Sequence, residues 1–346
     1  MEASEVRLLA AGTALPGPPV GNGDLARRFG MDELWEEWVE TFVGTRTRHL
    51  SVDLASGEIR TTLADLAERA ARRALDSAGV AAADLDVIVM GTATPDTLMP
   101  ATVNVVADRL GVDGIPTYQL QSGCTGAVQA LEVARLLLAG GGHRHALVIA
   151  GDSCAKHFDV GADLRAMPPA ELVNVVVFGD GAGAAVLSAD PVPGAVALRT
   201  VLTRFVGLGR EPGQVVEWFG RAERDVVRAA VAEDYKAIEE RVPVMAAETL
   251  RALLDELGWK DSEVDYLLPP QLSGRMSERI AARIAAGSEL LAEEIGCVAE
   301  TGNCGNALAF FQLERLLPEL DRGERAIGIA IESSKWIKAG FALERG

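Results

Sequence analysis

Two stretches far apart in the chain repeat one succession of apolar and polar positions. Ala64 to Ala78 (ADLAERAARRALDSA) carries its apolar residues at helical spacing and predicts an amphipathic helix. A Gly-Val turn follows, then Ala83-Asp84-Leu85-Asp86. The unbroken apolar run Val87-Ile88-Val89-Met90 then predicts a strand buried on both faces. In the second stretch Met245 to Leu257 (MAAETLRALLDEL) predicts a helix and Gly258-Trp259 a turn. Ser262-Glu263-Val264-Asp265 leads into Tyr266-Leu267-Leu268-Pro269, which makes Asp265 the equivalent of Asp86.

The match continues downstream. Gly123-Cys124-Thr125-Gly126 opens a helix over Ala127 to Leu138, and His145 to Ala150 (HALVIA) is the next strand. Gly302-Asn303-Cys304-Gly305 opens a helix over Ala307 to Leu317, and Arg325 to Ala330 (RAIGIA) is its next strand. One offset separates Cys124 from Asn303 and Asp86 from Asp265, a coincidence that two unrelated landmarks rarely share. Helix, strand, glycine turn, helix, strand, twice over, predicts a duplicated α/β fold. The N-terminal half, residues 1–190, carries Cys124, and the C-terminal half, residues 191–346, carries Asn303. Packing the halves together would bring Cys124 and Asn303 near a pseudo-twofold axis, each at a helix N-terminus.

Composition narrows the classes of function. The 346 residues fit two halves sharing one extended core, and 49% are hydrophobic, enough for a large one. A formal charge of −17 argues against nucleic acid or an anionic membrane surface as partner. No apolar run is long enough to span a bilayer, and Met1 to Ala11 has no signal-peptide pattern. The four cysteines form no CxxC pair or regular framework, so free thiols in a reducing, cytoplasmic compartment are expected. No cluster has metal-ligand spacing, and no metal is expected.

Cys124 follows a strand-like segment, Thr117 to Gln121, and precedes an apolar helix. A helix N-terminus offers partial positive charge and free N–H groups, which favour a thiolate nucleophile and can hold the oxyanion of an acyl-transfer intermediate. Gly123 and Gly126 permit the sharp turn that would present the side chain. The alternative is a packing cysteine, the commoner fate of a lone Cys.

The segment QSGCTGAVQALEVARLLLAGG resembles the nucleophile segment of type III ketosynthases (3-oxoacyl-carrier-protein synthase III) of the thiolase superfamily. VFGDGAGAAVL (Val177 to Leu187) is similar to that family's glycine-rich signature, and WVETFVGTRTRHL (Trp38 to Leu50) to its Trp…Gly…Arg-His segment. TGNCGNALAFFQLERLL resembles the segment carrying the family's active-site asparagine, which here is Asn303. The matches run from about Leu8 to Leu343. The resemblance implies a homodimeric, thiolase-like five-layered αβαβα fold made of two duplicated halves. It also implies an acyl thioester on Cys124, and an acyl-CoA or acyl-phosphopantetheine carrier protein as donor, with no permanently bound cofactor. Without it, GDGAGA could pass for a phosphate loop. It lacks the Lys-Ser/Thr of one, and close backbone packing is expected instead.

The chain departs from the family pattern at two places. The family's histidine, in a Pro-His-Gln-Ala-Asn context, meets Pro269-Pro270-Gln271-Leu272-Ser273 here, so Pro270 stands at its position. The four histidines, His49, His143, His145 and His157, all precede this segment. Proline has no donor, and losing one donor to a developing enolate typically costs on the order of a hundredfold in rate. Decarboxylative carbon–carbon bond formation is therefore disfavoured. Acyl transfer to a small-molecule acceptor is expected, an amine ranking ahead of a hydroxyl, in secondary metabolism. The alternatives are a decarboxylative 3-oxoacyl synthase and a non-catalytic acyl-binding or partner subunit. The second departure is Glu332-Ser333-Ser334-Lys335-Trp336, where the family has a glycine run. The Ser334 N–H would complete the oxyanion hole with that of Cys124, and Glu332 or Ser333 could supply replacement polar groups.

The resemblance assigns further residues, each with a plainer alternative. Trp38 matches a position that stacks on the coenzyme A adenine, with Phe42 in place of a companion arginine; it could equally anchor a helix face. Met99 matches a residue that enters the partner subunit's acyl pocket, or is an ordinary interface methionine. Arg275 matches an arginine used in carrier-protein docking. Arg279 and Arg283 share its helical face, and Arg221, Arg224 and Arg228 form a second stripe. Such a basic patch would steer an acidic carrier protein, or it is a solvated face beside Glu278. Cys154 and His157 lack the signals of a catalytic dyad, and Cys297 and Cys304 read as packing cysteines.

Overall fold

The computed structural model describes residues 5–157, 160–161, 163–167, 169–216 and 231–346. Its main sheet runs through strands β1 (Arg7–Ala14), β2 (Val87–Gly91), β3 (Thr117–Leu120), β4 (His145–Ser153) and β5 (Asp180–Ser188) of the first half. The second half supplies β6 (Val196–Phe205), β7 (Tyr266–Leu268), β8 (Glu293–Glu294), β9 (Arg325–Glu332) and β10 (Ile337–Arg345). The helices that matter are α1 (Leu63–Ala78), α2 (Thr102–Leu110), α3 (Gly126–Ala139), α4 (Tyr235–Leu257), α5 (Gly274–Ala285) and α6 (Leu308–Glu319).

Across the 10-stranded sheet the order is β8-β7-β9-β10-β6-β1-β5-β4-β2-β3. Reading outward from the centre, each half repeats the other's order. In each half two parallel pairings lie at the outer edge and two antiparallel ones toward the middle. The halves join edge to edge where Arg7 pairs with Ala197 and Leu8 with Val196.

Alternation along the strands sorts the core into layers. Val87 and Val89 face inward with Leu131, Leu138, Phe310, Leu316 and Phe341, so α3 and α6 form the central helical layer. Ile88 and Met90 face outward, against Leu66 and Ala70 of α1 and Val106 of α2. On the far side Leu250 and Leu253 of α4 and Ile280 of α5 cover Leu267, Ile327 and Ile329. Burial on both faces is why these strands read as unbroken apolar runs rather than alternating ones. The result is the five-layered αβαβα arrangement.

Asp86 and Asp265 do the same work in each half. Asp86 Oδ2 accepts from the Arg144 and His145 N–H groups (2.7 and 2.9 Å), and Asp265 Oδ2 accepts from the Arg325 N–H (2.9 Å). Each carboxylate pins the start of the neighbouring parallel strand of its own half, β4 or β9. The sequence places the start of α4 at Met245, whereas the helix begins at Tyr235 and runs through Pro243. Asp234 caps it, accepting from the Ala237 N–H, and Ile238 and Val242 extend its buried stripe, which offsets the backbone bond lost at the proline. The GDGAGA stretch lies in β5, and a Cβ on Gly183 would strike the Phe310 side chain, so these glycines admit α6 close to the sheet. Among the described residues, no helix is long and apolar enough to cross a membrane.

Candidate active site

Cys124 sits in a 3₁₀ turn, Gly123–Thr125, between β3 and the first residue of α3. Local bonds knit the turn: the Thr125 hydroxyl donates to the Ser122 carbonyl (2.9 Å), and Gln129 Nε2 donates to Thr125 Oγ1 (3.0 Å). Gly123 has φ +53°, a left-handed backbone, and a Cβ there would run into the Glu332 carboxylate. Only glycine fits this position without displacing that acid.

Asn303 arrives by a different route. It pairs as a parallel bridge with Phe178, its N–H donating to the Val177 carbonyl (2.8 Å) and its carbonyl accepting from the Gly179 N–H (3.1 Å). The glycine-rich segment therefore holds the asparagine backbone in place. Arg48 supports the same segment where a short helix, Pro169–Val177, ends: its fully buried guanidinium donates to the Val176 carbonyl (2.8 and 3.2 Å) and to the Val20 carbonyl. Burial pushes Arg48 down to about 10. The Asn303 side chain donates to the Leu272 carbonyl (3.2 Å) and accepts from the Gly305 N–H (3.0 Å).

The structure corrects the pairing of the two turns. Gly305 opens the second 3₁₀ turn, Gly305–Ala307, with φ +54°, matching Gly123 at +53°. Cys124 is thus the counterpart of Asn306, not of Asn303, and the repeat slips by three residues between Asp265 and this turn. Asn303 lies ahead of the turn in extended backbone rather than at a helix N-terminus. The two turns still touch: Asn306 Oδ1 accepts from the Ala127 N–H at the start of α3 (3.0 Å).

Each turn is capped by a carboxylate from the other half. Asp152, near the end of β4, accepts from the Asn306 N–H through Oδ2 (2.8 Å). Glu332, at the end of β9, accepts from the Cys124 N–H through Oε2. Asp152 is saturated: Asn306 Nδ2, the Thr92 and Thr94 hydroxyls, and the Ala93 and Thr94 N–H groups also donate to it, at 2.8–3.1 Å. Glu332 has the Ser334 N–H as its second backbone donor (2.6 Å).

This arrangement overturns the expected thiolate. Burial first, then the Glu332 and Asp152 carboxylates, push the Cys124 thiol well above its ordinary value. The positive end of the turn is already neutralised by Glu332, so it stabilises no thiolate here. The two N–H groups expected to form an oxyanion hole, those of Cys124 and Ser334, both donate to that one carboxylate.

Cys124 and Asn303 line a cavity of ≈ 180 Å³, together with Trp38, Phe42, Gln214, Glu233 and Tyr235. None of the four histidines lines it. Burial raises Glu233, and the Tyr235 hydroxyl donates to Asn174 Oδ1 (2.8 Å). A smaller recess of ≈ 40 Å³ beside Cys124 is lined by Pro270, Gln271, Asn303, Asn306 and Gln312. Pro270 thus borders the site without a donor. Gln271 faces inward, its Oε1 accepting from the Cys297 and Val298 N–H groups (2.7 and 2.8 Å).

The remaining expected residues divide. Arg275 stands at the mouth with its guanidinium 5.7 Å from the Phe42 ring centroid, and Arg279 there pairs with Glu239 (2.9 Å). Met99 is 87% exposed and does not line the cavity of its own chain. Arg221, Arg224 and Arg228 lie outside the described residues. Cys154 and His157 share a short 3₁₀ turn, and Cys297 and Cys304 are buried in apolar packing. Asp152 and Asn306 were not singled out from the sequence. The signal was there in Gly151-Asp152-Ser153 against Ile331-Glu332-Ser333, each ending an apolar strand of the repeat.

Comparison with known proteins agrees with this architecture. Residues 118–203 match the family model described as 3-oxoacyl-[acyl-carrier-protein (ACP)] synthase III. A β-ketoacyl-[acyl-carrier-protein] synthase III of Neisseria meningitidis is 29% identical over 280 residues, covering 80% of each protein. The solved structure "AbyA1 - tetronic acid condensing enzyme" is 62% identical, covers 98% of this chain and 99% of its own, and superposes with a TM-score of 0.94. The 3-oxoacyl-(acyl carrier protein) synthase III, FabH, of Pseudomonas aeruginosa PAO1 is 27% identical over 99% of this chain and 98% of its own, with a TM-score of 0.82. With the duplicated five-layered fold, the capped cysteine turn and these likenesses together, the chain belongs to the 3-oxoacyl-(acyl-carrier-protein) synthase III-like type III ketosynthases of the thiolase superfamily.

Proposed function

We propose that this protein is an acyl-transferring condensing enzyme of secondary metabolism. It loads an acyl group from a coenzyme A or carrier-protein thioester onto Cys124, then passes it to a nucleophile on a second small molecule. The observation that carries this is the pairing of Cys124 and Asn303 on one cavity whose neighbouring family-histidine position is Pro270. A site built this way keeps a thioester-forming cysteine and lacks the second donor that a decarboxylating enolate needs.

The likeness to a tetronic acid condensing enzyme shapes the second step. A tetronic acid is a lactone whose ring carbon lies between two oxygenated carbons. Making one requires acylation at carbon and at a hydroxyl oxygen. A carbon flanked by two carbonyls is already acidic, so it attacks without losing carbon dioxide. That chemistry needs a base but no enolate-stabilising histidine. We therefore rank a hydroxyl or an acidic carbon as acceptor ahead of an amine.

In the same proposal the two halves, residues 1–190 and 191–346, each deliver one site residue, Cys124 and Asn303. Asn303 Nδ2 would polarise the thioester or acceptor. Trp38 and Phe42 would line the pantetheine path, and Arg275, with its neighbour Arg279, would meet an acidic carrier protein. A homodimer would cover the exposed Leu98 and Met99 (70% and 87%).

The test is intact-protein mass after incubation with acyl-coenzyme A and acyl-carrier-protein thioesters, alongside Cys124→Ala. An acyl mass shift lost in the variant, followed by release without carbon dioxide when a hydroxyacyl or 3-oxoacyl thioester is added, supports the proposal. Carbon dioxide released from a malonyl thioester would favour the decarboxylating synthase named by its relatives. No shift with any donor would leave a non-catalytic partner.

A further inference from the structure

We propose that Glu332 is the catalytic base of this site and that it vacates the oxyanion hole when it takes the Cys124 proton. The inference deepens the acyl-transfer reading above and rests on it. Four observations carry it. Glu332 is 1% exposed, and its carboxylate touches both N–H groups that flank the expected oxyanion position, those of Cys124 and Ser334. After burial, its charge is the largest influence pushing the Cys124 thiol up. Among the described residues no cation forms an ion pair with it. No histidine lines the cavity; of the acids that do, Glu239 pairs with Arg279 and Glu233 accepts from Gln214 Nε2, whereas it is Glu332 that accepts from the Cys124 N–H.

The internal twofold separates this role from a structural one. Asp152 occupies the equivalent place and caps Asn306, but its two oxygens accept from six donors, leaving no lone pair free. Glu332 has two backbone donors, one of them the N–H of the nucleophile's own residue. The mate of its thiol is the Asn306 amide, which has no acidic proton for a base to take. The same scaffold thus holds a saturated cap in one half and an unsaturated carboxylate beside a nucleophile in the other.

The hairpin that presents Glu332 is rigidly built. Trp336, four residues on, adopts a left-handed backbone (φ +64°). Its indole is 2% exposed, donates to the Glu211 carbonyl (2.7 Å) and lies under the Arg241 guanidinium. A strained non-glycine residue persists only where its surroundings hold it.

The steps balance. The carboxylate takes the thiol proton as sulfur attacks the donor carbonyl. Once neutral, Glu332 holds the N–H groups less strongly than a charged acceptor does, and the new oxyanion takes its place. Collapse breaks the donor carbon–sulfur bond, and the departing thiolate leaves with the Glu332 proton. In the second half-reaction the carboxylate takes the acceptor's proton. The new acyl–oxygen or acyl–carbon bond forms as the Cys124 thioester bond breaks, and Glu332 returns the proton to sulfur.

Two readouts on Glu332→Gln test this. The first is alkylation of Cys124 by iodoacetamide against pH, with Cys124→Ala as blank. Glu332, Asp152 and Glu233 all act on the thiol, and removing the nearest charge lowers the pH at which it ionises. The second is acetylation of Cys124 by phenyl thioacetate, a small donor that needs no docking, followed by intact mass. The expected result is easier alkylation at neutral pH but acetylation slower by about a hundredfold or more, the usual contribution of a general base. A carboxylate that merely repels the thiolate, or merely caps the turn, gives a variant that acetylates as fast as wild type or faster; that result overturns the proposal. An unchanged alkylation profile overturns it too. Glu332→Asp, which keeps the acid on a shorter arm, recovers part of the acetylation rate, and its failure to exceed Glu332→Gln also counts against the base. If phenyl thioacetate loads wild type but coenzyme A and carrier-protein thioesters do not, the donor assignment fails while Glu332 as base stands.

Discussion

The exchange of carboxylates between halves predicts a sharp difference between two matched substitutions. Asp152→Asn keeps shape and removes one acceptor. Whichever way the amide turns, an NH₂ group faces donors: the Asn306 N–H and Nδ2 on one side, the Thr92, Ala93 and Thr94 donors on the other. On the smaller side two buried donors lose their acceptor, at about 1–3 kcal/mol each. Burial raises Asp152, so a neutral amide regains part of the carboxylate's desolvation. The net loss should be ~2–4 kcal/mol. In urea, at about 3 kcal/mol/M for a chain this long, the midpoint falls by on the order of 1 M. Far-UV circular dichroism and tryptophan fluorescence should report the same shift. Glu332→Gln turns its NH₂ group toward only one of two backbone donors and should cost about half as much, ~1–2 kcal/mol. A change under about 1 kcal/mol for Asp152→Asn would refute the claim that this carboxylate holds the second turn.

Other outcomes follow from the same geometry. Gly123→Ala forces a side chain into a left-handed turn and into the Glu332 carboxylate, so it should cost at least ~1–3 kcal/mol and slow acylation of Cys124, read by urea midpoint and intact mass. Burial raises Asp180 from 3.8 to about 6. A carboxyl raised on folding stabilises most below the unfolded value and loses that contribution as pH climbs through about 6. Wild type should therefore lose ~2 kcal/mol more than Asp180→Asn between pH 4 and pH 7, measured by denaturation at both. Reversing Arg275 and Arg279 to glutamate should lower the loading rate from a carrier-protein thioester by about tenfold at low salt and leave the uncharged donor phenyl thioacetate largely unaffected; equal losses from both donors would point to a damaged cavity mouth instead.

The duplicated α/β fold was legible because burial leaves a periodic trace. Val87 to Met90 and Tyr266 to Leu268 read as buried strands, and Asp86 and Asp265 mark one position in both halves. The family motifs picked out Cys124 and Asn303, and both line one cavity. Two local signals misled. The similar letters around Cys124 and Asn303 suggested equivalence, but backbone conformation at Gly123 and Gly305 pairs Cys124 with Asn306. A helix start after Cys124 suggested a thiolate, but a carboxylate from the other half already occupies that turn's donors.

What the sequence determined by itself is therefore the repeat, the buried strands and the nucleophile's place before a helix, because periodicity and turn residues are local properties of the chain. What only the tertiary structure decided is the charge around that nucleophile. Glu332 and Cys124 are 208 residues apart, and hydrophobic spacing carries no record of which distant carboxylate will meet which N–H group. Only the packing of β9 against the Cys124 turn brings them together, and burial there sets whether the sulfur keeps its proton.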